Sequence, residues 1–336
     1  MSKNRWIPFG QAVLGASHER KGTPIQDAIL YKHGEVLNES TVKPSIVAVS
    51  DGHGGSKYIR SHIGSQIAVN ALKDVVYESV FLSQSMSGSE LEDAIRHLKS
   101  RFLLKWQNKI DIGLKTTWFN ENELAFLNEN CSKKDHDSVL SSPRTAYGCT
   151  LLCVIAYKDL ILVMQYGDGD SLGLYINGEI KELIEPDPRN FGNATLSLSS
   201  LKNPSEIQHK VLVGGDIPAL ITLSTDGVKN SYDDKIAEEI EKFYQIPSDI
   251  GSLLNKHNND IALVGEILDK ELARMTKGGS GDDATLGVLF NSDKIKSLAV
   301  SDTIKPSTED NPPDTTTENA TLSLDDSKDN SKNEGI

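Results

Sequence analysis

Cysteine, long apolar runs and basic charge are all scarce in this chain of 336 residues. Its three cysteines, Cys131, Cys149 and Cys153, do not have the spacing of a zinc site, and two of them lie in an apolar segment. We therefore expect free, buried thiols in a reducing cytoplasm. No apolar run approaches the roughly 18 residues of a membrane-spanning helix, and the first residues lack the apolar stretch of a secretory signal. These absences favour a cytoplasmic protein without a membrane partner.

The net charge of −13 argues against a nucleic-acid partner, which needs a basic face, and against binding to an anionic membrane surface. Apolar residues make up 38% of the chain and charged residues 25%, as in a soluble globular protein. Residues 291–336 differ, because they hold ten acidic residues and five lysines among Ser, Thr, Asn and Pro, almost without aromatics. We expect a folded domain over residues 1–290 and a disordered acidic tail over residues 291–336.

The chain is organised around one stretch, in which a short apolar strand ends in Asp51-Gly-His-Gly-Gly55. Residues 46–49 are apolar and mostly β-branched, which predicts a buried strand, and residues 57–74 have apolar side chains at helical spacing. A carboxylate at a strand end, beside bare backbone carbonyls and an imidazole, suits a cation that prefers oxygen ligands. Taken alone, Asp-Gly is also a common turn pair, so an ordinary turn is an equal alternative for this motif.

The rest of the chain predicts a mixture of helices and antiparallel strands. Residues 13–31 are typical of two strands joined by a polar turn, and strands with tight turns recur over residues 145–176, which indicates an antiparallel sheet. Residues 120–143 are polar and charged and are interpreted as a loop or insertion. His136, between two aspartates, is interpreted as part of that solvated loop rather than as a metal ligand. Helical spacing predicts three further helices, over residues 91–110, 233–244 and 259–276.

Four aspartates share one setting, because each lies where an apolar strand meets a turn: Asp27, Asp51, Asp226 and Asp282. If these strand ends converge, the carboxylates repel one another unless cations lie between them. Two Mg²⁺ or Mn²⁺ ions would meet that need and could activate a water molecule for attack on a phosphoryl group. Because the sequence lacks a Gly-x-x-x-x-Gly-Lys phosphate loop, it favours phosphate hydrolysis over nucleotide-driven transfer.

Six motifs follow one another along the chain: Gln26-Asp27-Ala28, Asp51-Gly-His-Gly-Gly55, Gly148-Cys-Thr150, Gly167-Asp168-Gly169, Thr225-Asp226-Gly227 and Gly281-Asp282-Asp283-Ala-Thr285. In this order they resemble the metal-dependent protein phosphatase 2C family of serine/threonine phosphatases. The resemblance covers roughly residues 10 to 290. The segment from Ser17-His18 to Ala28, and Asn193-x-Thr195-x-x-Leu198, are most similar to a bacterial branch of the family.

The resemblance implies an α+β fold, a four-layer α-β-β-α sandwich of two antiparallel sheets flanked by helices. It implies that His53 is the general acid on the leaving alcohol, a role that an ordinary imidazole pKa of ~6.5 suits. The implied substrate is a protein phosphorylated on serine or threonine, and the implied partner is a cognate serine/threonine kinase. Two Mn²⁺ or Mg²⁺ ions, bridged by Asp51, would be held by Asp27, Asp51, Gly52 (through its carbonyl), Asp226 and Asp282.

The sequence also departs from the family pattern. Many members carry an acid where this chain has Gln26, and a phosphate-binding arginine where it has Gly22. Three nearby basic side chains could bind the substrate phosphate instead: His18, Arg20 and Lys21. Thr145 stands where an acid often binds a third metal, and Gly167-Asp-Gly-Asp170 stands where Gly-Asp-Ser-Arg is usual. These departures argue against a third metal.

The favoured interpretation is a phosphatase in which a metal-bound hydroxide attacks phosphoserine or phosphothreonine in proteins, without a phosphoenzyme. The alternatives are a catalytically weak or inactive phosphatase-like regulatory or binding module, and a phosphatase of small molecules. Gln26 and the missing arginine favour the module. Four residues of the implied site are present and favour the enzyme: Asp51, His53, Asp226 and Asp282.

Overall fold

Two antiparallel sheets of five strands each form the centre of the structure, a computed structural model that describes residues 5–35, 43–78, 88–157, 160–190 and 195–298. The strands are β1 (Trp6–Val13), β2 (Ala28–Lys32), β3 (Ser45–Ser50), β4 (Leu151–Tyr157), β5 (Leu160–Tyr166), β6 (Asp170–Leu174), β7 (Ile180–Glu182), β8 (Gln208–Val213), β9 (Leu220–Ser224) and β10 (Ala284–Asn291). The first sheet has the strand order β1-β10-β9-β6-β7, and the second has the order β2-β3-β4-β5-β8.

The two sheets stack face to face because alternate residues of their strands are apolar on both faces. In β3, Val47 and Val49 pack in the layer between the sheets, whereas Ile46 and Ala48 pack against helices on the outside. All four side chains are almost fully buried. This two-sided burial explains why the strand is a continuous apolar run rather than an alternating one.

Helices cover the outer face of each sheet. They are α1 (Ala16–Lys21), α2 (Ser61–Glu78), α3 (Gly88–Thr116), α4 (Glu121–Asn130), α5 (Lys133–Ser141), α6 (Asp226–Lys229), α7 (Ala237–Lys256), α8 (Ile261–Gly278) and α9 (Ser292–Ile295). The apolar faces of α2 and α3 pack on the second sheet, and those of α7 and α8 pack on the first. The predicted α+β class and the four-layer α-β-β-α sandwich are therefore confirmed. Within the described ranges, none of the helices combines the length and apolar character that crossing a bilayer requires.

The N-terminal prediction of two strands joined by a polar turn is wrong in one respect. Ala16–Lys21 is helical, and Gly22 ends the helix in the left-handed conformation (φ 66°). The strands on either side, β1 and β2, belong to different sheets rather than to one hairpin. A six-residue helix is too short to show helical periodicity, so apolar spacing could not reveal it.

The insertion over residues 120–143 is helical, and its interpretation as a loop is wrong. Asn120 caps α4 in a capping box with Glu123, and the Ser132 side chain caps α5. Each helix buries a single side chain completely, Leu127 and Val139, so the segment has little apolar periodicity. His136 lies on α5 beside Asp137, away from any group of metal ligands in the described chain.

Helix boundaries differ from the predictions where turns or a proline intervene. The helix predicted over residues 57–74 runs from Ser61 to Glu78, because residues 55–60 form turns beside the candidate site. α7 continues through Pro247 to Lys256, well beyond the predicted end at residue 244. The folded chain continues past residue 290 through α9, whose Ile295 is fully buried. Residues 299–336, most of the predicted tail, lie outside the described residues, as do the predicted turn at residues 158–159 and Asn193.

Candidate active site

The predicted aspartates lie at strand ends on one edge of the sandwich. Asp27 immediately precedes β2 and Asp51 immediately follows β3, and the register pairs their neighbours, Ala28 with Ser50. Asp226 follows β9, and Asp282 lies two residues before β10. The hydrogen bond from the Thr225 N–H group to the Thr285 carbonyl oxygen (3.1 Å) holds the ends of β9 and β10 together. The topology therefore brings all four strand ends to one place, as the sequence predicts.

Asp27 connects the two sheets. Its Oδ2 accepts hydrogen bonds from the hydroxyl groups of Thr225 (2.8 Å), directly after β9, and Thr285 (2.7 Å), in β10, and both of these strands belong to the other sheet. The side chain is 3% exposed, and burial raises the pKa of its carboxyl group well above the usual value although the threonine bonds act in the opposite direction. Asp27 is therefore rigidly held with one carboxylate oxygen engaged.

Asp51 and Asp226 lie close enough for their carboxyl groups to interact directly. Burial raises the pKa of Asp226 to about 6, and Asp168 raises it further by charge repulsion. Burial raises the pKa of Asp51 well above its usual value, and so do the neighbouring Asp27 and Asp226. Carboxylates this close repel one another when both are charged, and a divalent cation between them would balance that charge. The oxygen donors of this cluster fit Mg²⁺ or Mn²⁺.

Asp282 lies at the rim of the cluster rather than inside it. Its side chain is 53% exposed, and its Oδ1 accepts the N–H of Asp283 at 2.9 Å. As the side chains stand in the described chain, no group of three or more His, Cys, Asp or Glu residues closes around a single ion. The set of five ligands, with Asp27 and Asp282 among them, therefore stays a prediction.

Gly52 is a position where no side chain fits. A Cβ atom there would lie 2.5 Å from the Gln26 carbonyl oxygen and 3.0 Å from the backbone of Ser61. The close approach lets the loop after β3 pass directly beside the segment that carries Asp27. Ligation of a metal by the Gly52 carbonyl also stays a prediction.

His53 lies beside the cluster in a largely apolar setting. Its ring contacts Tyr58 (4.8 Å between ring centroids), and its backbone N–H donates to the Gly148 carbonyl at 3.1 Å. Its Nε2 atom is buried without a hydrogen-bond partner. Burial lowers the pKa of His53 to about 4, against the ordinary value expected from the sequence, although the charge of Asp168 acts in the opposite direction. Burial therefore disfavours the charged form of the imidazole, and Nε2 lacks a partner within the described chain.

The structure separates the three candidate phosphate-binding residues. The His18 side chain is 12% exposed, and it lies between two carboxylates, with Nδ1 2.9 Å from Asp283 Oδ1 and Nε2 3.7 Å from Asp282 Oδ1. Arg20 and Lys21 are exposed on the last turn of α1. His18 is thus brought to the edge of the cluster, whereas the other two remain surface residues on the same short helix.

Asp283 is a site residue that the sequence interpretation missed. It is 3% exposed and accepts hydrogen bonds from the N–H groups of Gly15 (2.7 Å) and Gln26 (2.6 Å), as well as contacting His18. These bonds fix the chain before Asp27 against the loop that carries Asp282. The pair of successive acids was a usable signal, because side chains of adjacent residues in an extended segment point to opposite sides and one of them must face inward.

Asp168 is a second missed residue, although its motif was recognised. Its charge raises the pKa of Asp226, and its Oδ2 accepts a hydrogen bond from the Thr195 hydroxyl at 2.6 Å.

The departures from the family pattern also have structural roles. The Gln26 side-chain amide donates to the Ser61 hydroxyl (3.0 Å), and the buried Asp170 pairs with Lys229 (2.8 Å).

Comparison with solved structures finds similar proteins at low sequence identity. PppA, a key regulatory component of T6SS in Pseudomonas aeruginosa, is 16% identical, with 86% of this chain and 98% of that chain covered and a TM-score of 0.48. A C. elegans sex determining protein is 13% identical, with 89% and 68% covered and a TM-score of 0.50. The Mycobacterium tuberculosis serine/threonine phosphatase PstP/Ppp is 14% identical, with 85% and 98% covered and a TM-score of 0.44. A search of curated protein sequences found no match.

The family comparison is more decisive than these structural likenesses. The family model described as protein phosphatase 2C matches residues 14–262. This range contains β2 to β9, the glycine loop after β3 and three of the predicted aspartates, Asp27, Asp51 and Asp226. Because the match spans well over half of the sequence, the chain belongs to the protein phosphatase 2C family.

Proposed function

We propose that this chain is a metal-dependent phosphatase that hydrolyses phosphoserine and phosphothreonine in proteins with the help of two Mn²⁺ or Mg²⁺ ions. The observation that carries the proposal is the convergence of Asp27, Asp51 and Asp226 at one edge of the sandwich, where burial and the charges of Asp27 and Asp226 raise the pKa of Asp51. Such an arrangement is costly for a protein unless a cation balances the charge. Membership in the phosphatase family supports a catalytic use of that cation.

The residues of the cluster have distinct roles in this proposal. When bound, the cations would activate a water molecule and neutralise charge on the phosphoryl group. Asp51 and Asp226 supply the central negative charge, with Asp282 and the Gly52 carbonyl completing the ligand set. Asp27, held by two threonine hydroxyls, orients its remaining oxygen toward the cluster.

His53 is the proposed proton donor to the departing alcohol. Its buried Nε2 has no partner within the described chain, so a substrate oxygen would supply the missing hydrogen bond once binding opens the site around the ring. Burial holds the pKa of the ring low in the free protein, and a dianionic phosphate beside Nε2 would favour the protonated form. His18, Arg20 and Lys21 are the proposed contacts of the phosphate, with His18 nearest to the aspartates.

We further propose that the catalytic domain comprises the sequence up to about α9, that the remaining acidic segment is a tail outside it, and that the protein acts in the cytoplasm. The free cysteines support a reducing compartment, because Cys149 and Cys153 are buried thiols and burial raises the pKa of each to about 12. The proposed partners are phosphorylated proteins and a cognate serine/threonine kinase. This partner assignment rests on the resemblance of the motifs.

The test is hydrolysis of a phosphothreonine peptide and of p-nitrophenyl phosphate with Mn²⁺, with Mg²⁺ and with chelator. We expect release of phosphate from both substrates that chelator abolishes and that Asp226→Ala loses. Asp234→Ala is the control, because this aspartate is exposed on the loop after α6. Release from p-nitrophenyl phosphate alone would indicate a small-molecule phosphatase. A folded sample that hydrolyses neither substrate would overturn the enzyme in favour of a regulatory or binding module.

A further inference from the structure

A helical insertion, residues 117–143 with α4 and α5, lies between α3 and β4 and contributes none of the clustered aspartates. It nevertheless contacts residues 56–60, the segment that follows the glycine loop of the site. Lys57 pairs with Asp135 (3.1 Å), and the thiol of Cys131 lies 3.5 Å from the Ser56 hydroxyl. The insertion is therefore attached to the chain that leads directly out of the candidate active site.

The strongest attachment is a buried arginine. Arg60 is 6% exposed, and its Nε and Nη2 atoms donate to the two carboxylate oxygens of Glu123 at 2.6 and 2.8 Å. Nη1 donates to the Tyr147 hydroxyl (2.6 Å) and the Thr117 carbonyl (3.1 Å), and Nη2 also donates to the Trp118 carbonyl (3.0 Å). Because these hydrogen bonds use the donors of the guanidinium group on every side, Arg60 holds its own segment, residues 117–123 and Tyr147 in one fixed geometry.

The same segments hold His53. The Arg60 N–H donates to the Ala146 carbonyl at 2.8 Å, and the His53 N–H donates to the Gly148 carbonyl at 3.1 Å. Between these two bonds the Tyr58 ring packs on both His53 and Gly148, and a Cβ atom at position 148 would lie 2.5 Å from that ring. A displacement of Arg60 would therefore move the surface against which the imidazole rests.

We propose that the Arg60–Glu123 pair is a positioning device that holds His53 Nε2 in place to protonate the departing alcohol. The inference rests on the proposed function, because it names the residues that position His53, the proton donor proposed there. Arg60 and Glu123 are positioning residues and do not touch the reacting atoms. The helical insertion, on this account, is part of the catalytic unit rather than an appendage.

The assisted step is the cleavage of the phosphoester bond. A water oxygen forms a bond to phosphorus, and the bond from phosphorus to the threonine oxygen breaks. The departing oxygen keeps the electron pair and takes the proton from His53 Nε2, which gives a neutral alcohol. The second hydrogen of the water passes to solvent as a proton, and the imidazole regains a proton from solvent. Inorganic phosphate leaves with the oxygen and the remaining hydrogen of the water.

Two substrates distinguish a positioning role from a general loss of structure. The p-nitrophenolate group leaves readily without a proton, whereas the alkoxide of threonine needs one. A displaced proton donor therefore slows hydrolysis of a phosphothreonine peptide selectively. A variant that partly unfolds or loses metal slows both reactions to the same extent.

The test variants are Glu123→Gln and Arg60→Lys in the full chain, with His53→Gln as the reference for loss of the donor. We expect kcat for the phosphothreonine peptide to fall about 10-fold or more and kcat for p-nitrophenyl phosphate to change less than about 3-fold, with KM unchanged. The control is Asp74→Asn, which removes the carboxylate charge from the salt bridge with Lys109 (2.8 Å). Asp74 lies roughly 20 Å along α2 from Arg60, so neither rate should change.

Equal losses on both substrates, or no loss on either, would overturn the positioning role. Amide hydrogen exchange supplies a readout that does not depend on turnover. We expect exchange over residues 53–60 to rise in Glu123→Gln and to stay at the wild-type level in Asp74→Asn. Unchanged exchange in Glu123→Gln would refute the inference by itself. If exchange rises in Glu123→Gln but the wild-type protein hydrolyses neither substrate, the proposed function is refuted. The structural coupling between the insertion and residues 53–60 is then still supported.

Discussion

The buried aspartates of this chain differ in what their carboxyl groups bond to. Asp27 accepts two threonine hydroxyls, and Asp283 accepts two backbone N–H groups and contacts His18. Asp51 and Asp226 instead lie close to each other, and burial raises the pKa of both carboxyl groups. Asp226 accepts one hydrogen bond from the Asn230 side-chain amide (3.0 Å), but the pair leaves negative charge that a cation from solution can balance.

We predict that Asp51→Asn loses turnover by at least about 100-fold at saturating Mn²⁺, because the central charge of the cluster is removed. The fold should persist, since removing one of several crowded carboxylates relieves repulsion in the metal-free protein. Steady-state kinetics and a thermal melt of the same sample measure both effects. Turnover at the wild-type level in this variant would sink the two-metal proposal.

Asp282 and Asp283 are neighbours with opposite expected phenotypes. Asp283→Ala leaves the N–H groups of Gly15 and Gln26 without their acceptor inside the protein, which should cost about 3 kcal/mol of unfolding free energy. Asp282→Ala, at an exposed position, should cost less than about 1 kcal/mol while lowering metal-dependent turnover. Urea unfolding of the two variants tests this contrast. Equal destabilisation would show that the buried contacts of Asp283 carry no special weight.

Residue types alone identified part of this site. The strand–turn junctions of Asp51 and Asp226 were visible because each follows an apolar run and precedes a glycine. The bonding of Asp283 depends on which of two adjacent acids faces inward, and the low pKa of His53 depends on burial by Tyr58 and Gly148. Both facts arise from tertiary packing, which motif spacing does not contain.

Among the elements, the helical insertion shows how local capping can outweigh weak periodicity. α4 buries one side chain completely, so its hydrophobic pattern is faint, yet Asn120 and Glu123 form reciprocal caps at its first turn. An Asn followed three residues later by Glu is a helix-start signal that was present in the sequence. Capping residues therefore carried information that apolar spacing lacked.

We predict that Asn120→Ala lowers the free energy of unfolding by about 1 kcal/mol, because it removes the acceptor for the Glu123 N–H group. Asn130→Ala, at the exposed far end of the same helix, serves as the control and should change stability by less than about 0.5 kcal/mol. Urea unfolding midpoints compare the two variants. Indistinguishable midpoints would mean that the cap does not stabilise the insertion.

For the whole molecule, the four layers could be anticipated from the resemblance, and the structure confirms them. Apolar runs such as the one in β3 located strands correctly because they are buried on both faces. Strand pairing could not be predicted from the sequence, because β1 and β2 follow each other along the chain but lie in different sheets. Such long-range pairing is set by the packing of the sheets and not by local pattern.

The two sheets and their connecting loops together build one cluster of carboxylates, and the central claim is that this cluster holds two divalent cations. The most direct measurement is a calorimetric titration of Mn²⁺ into the chelator-treated full chain. The account predicts about two Mn²⁺ ions bound per chain, and fewer in Asp51→Asn or Asp226→Ala. A folded wild-type chain that binds no Mn²⁺, or variants that bind the same number of ions as wild type, would contradict it.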